Sequence, residues 1–82
     1  MKSMVNTYVT YFKPNIVHVN AIILGISNSH IHIKCIEIID NYFQYPWMVG
    51  GEYFIIRDYI RFMKPIIDKK TINKLSKLYI FS

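Results

Sequence analysis

Three histidines, one cysteine and five carboxylates are the side chains here with types suited to chemistry. His30 and His32 stand two apart, which on a strand places both imidazoles on one face, with His18 able to approach from a neighbouring strand. A metal ion needs three or four deprotonated ligands converging on one point. Only Cys35 and Asp40 lie near enough in sequence to complete such a set, and Cys35 points to the opposite face of that strand. The expectation is hydrogen-bonded or surface histidines on a sheet, with no metal and no other cofactor. Acid–base catalysis needs paired carboxylates, or a histidine and a carboxylate, held in a pocket. Glu37 and Asp40 have helical spacing, while Glu52, Asp58 and Asp68 are scattered among lysines and arginines and suit surface ion pairs such as Asp58 with Arg61. Ser27 and Ser29 lack an elbow motif around them, and Gly50-Gly51 is too short for a phosphate loop. Cys35 has no partner for an internal disulfide and reads as a small buried apolar residue. The chain is expected not to be an enzyme.

Binding chemistry is better represented. Arg57, Arg61, Lys64, Lys69, Lys70, Lys74 and Lys77 put seven of the ten basic residues after position 56. Such a cluster suits phosphate, so these seven are the candidate anion contacts, with RNA phosphate or anionic lipid headgroups as partners. Trp47, with Tyr45 and Met48 beside it, forms an aromatic knot in a loop; Tyr79 and Phe81 close the chain. Aromatic anchors of this kind concentrate interface energy. Tyr45, Trp47, Met48, Tyr79 and Phe81 are therefore the candidate contacts with other protein subunits. The alternative for the Trp47 knot is a small core closing the loop over a sheet.

Composition sets the discount applied to all of this. Sixteen Ile and eight Lys stand against one Ala and two Arg, the usage of a very AT-rich gene from an organelle, a virus or a parasite. The same bias supplies isoleucine clusters and lysine excess by chance, so part of the net charge of +5 follows from it. A chain of 82 residues makes one domain, here taken as 1–82, and hides only about 60–65% of its unfolded surface. With 52% apolar and 16% aromatic residues, a partner is the natural outlet for the surplus apolar surface. No run approaches the ~18 apolar residues of a membrane span. The N-terminal fifteen residues lack the pattern of a secretory or transit peptide, so a mitochondrial setting would imply synthesis in the organelle or a cryptic signal.

The elements that would position these residues form an α+β pattern. Residues 4–12 alternate as a strand, Lys13-Pro14-Asn15 turns the chain, and 16–24 alternate again. After the turn at Gly25–Ser29 the signal divides. Residues 30–39 alternate like a third strand, yet Ile31, Cys35, Ile38, Ile39 and Tyr42 share a helical face. Residues 41–51 read as a loop. Tyr53, Ile56, Ile60 and Met63 predict a helix over 52–63, ended by Pro65. A last helix over 68–79 starts at Asp68, a candidate N-cap, with Ile72, Leu75 and Tyr79 on one face. The expected fold is a sheet of two or three strands followed by two helices.

Three stretches, in matching order, resemble parts of the CRAL-TRIO (Sec14-like) lipid-binding domain. His18 to Ile26 is similar to that family's strand ending in KGIS, here Leu24-Gly25-Ile26-Ser27. Ile38-Ile39-Asp40-Asn41-Tyr42, followed by Tyr45-Pro46, resembles the helix before its YP. Residues 63–75 (MKPIIDKKTINKL) resemble its KPFLD…T…KI segment. The resemblance implies a truncated lipid-binding module. The residues themselves imply a non-catalytic accessory or structural subunit of a larger assembly, such as an organellar respiratory complex or ribosome.

Overall fold

A computed structural model describes residues 4–41 and 47–81, with the Phe81 side chain left aside. Five strands form one antiparallel sheet in the order β4-β3-β2-β1-β5. They are β1 (Tyr8–Lys13), β2 (Val17–Ile26), β3 (His30–Asn41), β4 (Glu52–Ile56) and β5 (Met63–Pro65). A 3₁₀ helix, Arg57–Phe62, joins β4 to β5, and one α-helix, α1 (Lys69–Phe81), follows.

Local chemistry sets the two hairpins. Pro14 supplies a fixed φ and Asn15 takes φ 62°, the pattern of a type II turn. The Ile16 N–H closes it onto the Lys13 carbonyl at 3.0 Å. At the other end of β2, the Ser27 hydroxyl accepts the His30 N–H at 3.0 Å, and the Ser27 N–H donates to the His30 carbonyl at 2.8 Å. Gly50, at φ 85°, turns the chain into β4.

The sheet curls. Six residues of 3₁₀ helix rise about 12 Å, whereas four steps between strands of a flat sheet span about 19 Å. The helix therefore draws the two outer strands toward each other, and it touches β1 and β3 as well as β4 and β5. Register shifts along β2 and β3 supply the bend, since a bulge adds local twist. Val9, Tyr11, Val17, Val19, Ala21, Ile23, Ile31, Ile33, Cys35 and Met63 fill the concave face as one buried core. Tyr59 and Phe62 of the 3₁₀ helix pack against it, and the Lys13 ammonium lies 4.0 Å from the Tyr59 ring centre.

One shift has a second effect. Asn20 pairs with Glu37 while Ala21 pairs with Cys35, so Ile36 is the extra residue of a bulge on β3. Ile36 then joins Ile22 and Leu75 in a separate buried cluster on the convex face, where α1 docks. Asp68 caps α1 as expected. Its carboxylate accepts the Thr71 N–H at 3.1 Å and the Thr71 hydroxyl at 2.6 Å, and these bonds hold its pKa below the ordinary aspartate value.

Two expectations are corrected. The sheet has five strands rather than two or three, and one α-helix follows rather than two. Residues 52–63 form β4 and the 3₁₀ helix, not an α-helix. The helical spacing of Tyr53, Ile56, Ile60 and Met63 arises because β4 carries apolar side chains on both faces, which hides its alternation. Residues 30–41 are strand throughout, and the bulge at Ile36 explains their mixed periodicity.

Candidate functional site

The basic residues divide into three groups. Arg57 donates to the Ser27 carbonyl at 3.2 Å and so braces the β2–β3 turn, away from the others. Lys70, Lys74 and Lys77 line a shallow depression on α1 with Asn73 and Leu78, and Lys69, next to Lys70, is exposed. Lys74 is turned to the sheet, with its ammonium 3.0 Å from Glu37 Oε2. Arg61 and Lys64 come together in a groove of about 430 Å³ with Thr10, Phe12, Pro14, His18 and Phe62.

This groove lies on the convex face over β2, β1 and β5. Phe12 and His18 are cross-strand partners, and their rings meet edge to face at 4.8 Å. Lys64 sits opposite Thr10. The Arg61 guanidinium is 5.0 Å from the Phe62 ring centre. No carboxylate lines the groove; Asp40, exposed, lies across from His18 on β3 outside it. Sequence reasoning missed Phe12, His18 and Phe62 as members. Nothing local marks them, because the site assembles through the β1–β5 pairing.

A polar ladder divides the groove from the α1 cluster. The Thr10 hydroxyl donates to Asn20 Oδ1 at 2.8 Å, and Asn20 Nδ2 donates to Glu37 Oε1 at 2.9 Å. Burial pushes the Glu37 carboxyl up, but hydrogen bonds from Lys74 and Asn20 and the Lys74 charge outweigh it and hold the pKa below the ordinary 4.5. The folded state therefore binds the Glu37 proton less readily than the unfolded state. Glu37 stabilises the fold fully above its unfolded value, and that contribution is lost as pH falls through the lowered folded value. Thermal melts of the wild type and Glu37→Gln should differ most near neutral pH and converge on acidification below 4.5. A gap that stays constant with pH would show that the carboxylate charge is not the stabilising feature.

Apolar side chains mark the opposite edge of the sheet, on the same face. Phe54 and Ile56 of β4 are 70% and 54% exposed, and Met48 and Val49 just before β4 are exposed too. Phe54 stacks on His32 at 4.4 Å, and His32 Nε2 lies 2.8 Å from Glu52 Oε1. Arg57 N–H donates to Ser29 O and Cys35 N–H donates to Gly51 O. With antiparallel alternation, those bonds turn the amides of Glu52, Phe54 and Ile56 away from β3.

The other expected contacts are placed as follows. Trp47 is half-buried against the core, 6.0 Å from Tyr11 and 4.4 Å from Tyr53 between ring centres. The Met48 N–H donates to the Tyr53 hydroxyl at 2.7 Å. Tyr79 packs on the α1 cluster and faces the Lys34 ammonium at 5.2 Å. Tyr45 and the Phe81 side chain lie outside the described residues. Cys35 is fully buried, and burial pushes its thiol up to about 11, so it stays a neutral core residue. Among the described residues no three metal-ligating side chains gather, and no helix is long and apolar enough to cross a membrane.

Together these features define a small curled antiparallel sheet with one docked helix, a basic aromatic groove and an apolar strand edge. Comparison with protein-family models, curated proteins and solved structures gave no match.

Proposed function

We propose that this protein is a non-catalytic subunit of a larger assembly, and that it joins a neighbouring protein subunit by adding a strand of that subunit to β4. One observation carries the reading: exposed Phe54 and Ile56 stand on a strand whose outward amides have no strand beside them among the described residues. Sheets ordinarily guard such an edge with lysine, proline or very short strands. The β5 edge is guarded in this way, being three residues long with Lys64 and Pro65. β4 has no lysine or proline. Strand addition would supply backbone partners while pockets on the neighbour take the alternate apolar side chains.

The test is affinity purification from the native source with the chain as bait. Phe54→Thr/Ile56→Pro is the edge variant. Ile56 has φ −54°, which proline accepts, and its N–H points outward, so the β3 ladder stays intact. The expected result is a stoichiometric partner that protects the Phe54 and Ile56 amides from exchange and is lost with the variant. A partner retained by the variant, or a wild-type chain that runs as an unaccompanied monomer at native abundance, overturns the reading.

A further inference from the structure

We infer that the groove of Phe12, His18, Arg61, Phe62 and Lys64 binds a segment of single-stranded nucleic acid, with a base on Phe12 and the adjoining phosphates at Arg61 and Lys64. This site is separate from the β4 edge and does not rest on the docking proposed there. Four observations converge on it.

The first is the pairing of ligand chemistries. Single strands present flat bases and charged phosphates in alternation, and proteins that hold them combine stacking rings with a cationic track. Phe12, near the end of β1 and past its pairing with β5, is 43% exposed, with one edge against His18. Arg61 and Lys64 come from the 3₁₀ helix and β5, beside the ring. The second is charge. Two cations and an imidazole line the groove without a carboxylate, in a chain of net charge +5.

The third is shape. The groove is open and holds about 430 Å³, within the range of sites that accept a nucleotide-sized group. It is concave, so a chain can lie along it while a flat bilayer surface cannot enter. The fourth is rigidity. The hairpin turn at Pro14-Asn15, the Thr10–Lys64 pairing and the Arg61–Phe62 contact fix the walls before any ligand arrives, which lowers the entropic cost of binding. Among the described side chains, the depression lined by the α1 lysines has no ring, and Lys74 is already held by Glu37.

Fluorescence anisotropy with a labelled oligouridine of about ten nucleotides tests the site. The wild type should prefer the single strand over a duplex of equal charge. Phe12→Ala should weaken binding about 5- to 150-fold, the loss of one stacked base. Arg61→Gln/Lys64→Gln should make the slope of log affinity against log salt shallower by about 1.4, two phosphate contacts on a single strand. Circular dichroism would confirm that these exposed-site variants remain folded. Lys70→Gln/Lys77→Gln should change binding little.

Several results overturn the inference. One is equal loss from the α1 pair and the groove pair with no effect of Phe12→Ala, which marks unspecific charge attraction. Another is competition by free uridine monophosphate as strong, mole for mole, as by the oligomer, which marks a mononucleotide site. A third is binding to phosphatidylserine vesicles with none to the oligomer, which marks a membrane surface.

Discussion

Leu75→Ala should destabilise the protein by about 2–5 kcal/mol, the usual range for a fully buried leucine. Leu75 is 0% exposed, and with Ile22 and Ile36 it forms the whole buried part of the cluster beneath α1. The helix has few other anchors: Ile80 is exposed, Leu78 lies at the rim, and Ile66, Leu24, Tyr8 and Tyr79 are only partly buried. A small domain has about 5–15 kcal/mol in total, so this single change approaches the limit. Each kcal/mol moves the melting point of a domain this size by about 4–8 °C, which a calorimetric scan resolves. A loss below 1 kcal/mol would mean that α1 is an appendage. Amide exchange separates two routes to the loss. If α1 detaches alone, its amides exchange quickly while β2 and β3 stay protected.

Asn20→Ala should cost about 1–3 kcal/mol through its hydrogen bonds rather than its volume. Asn20 is 5% exposed and satisfies two neighbours at once, accepting from Thr10 and donating to Glu37. Its loss leaves Glu37 with Lys74 and whatever water can reach the carboxylate. Because the three groups share one network, the effects of Asn20→Ala and Glu37→Gln should not add. A double-mutant cycle should show coupling of about 0.5–3 kcal/mol. Additive losses would show that Thr10, Asn20 and Glu37 act separately. Asn20→Asp is the sharper control. It sets a carboxylate beside Glu37, so it should destabilise more than alanine at neutral pH and recover as acid protonates the pair.

Much of the scaffold can be read from local signals. β1 alternates because its core face is buried and its other face is not, the first half of β2 follows suit, and Pro14-Asn15 and Asp68 carry turn and cap chemistry in their own side chains. The end of α1 differs from expectation by two residues, as helix ends do. β3 and β4 resist reading for two physical reasons. A bulge breaks the period-two pattern at Ile36, and an apolar outer face on β4 leaves no polar partner for Tyr53 and Ile55 to alternate with. The basic cluster after position 56 was visible, but its division was not. Arg57 and Arg61 stand four apart, yet one braces a turn and the other lines the groove. The groove itself joins Phe12 to Lys64 through a pairing between strands remote in sequence, which no window along the chain contains.

The unequal guarding of the two sheet edges also limits how the chain can associate with itself. An edge that pairs only with a different edge adds molecules head to tail and grows into fibres unless a ring closes. Here β5 is a poor receiver, so the available self-contact is β4 against β4 of a second copy. That contact is two-fold symmetric and uses up both open edges when it forms. Growth through that contact would stop at two molecules, and the strand proposed to take up a neighbour would close the assembly when no neighbour is present.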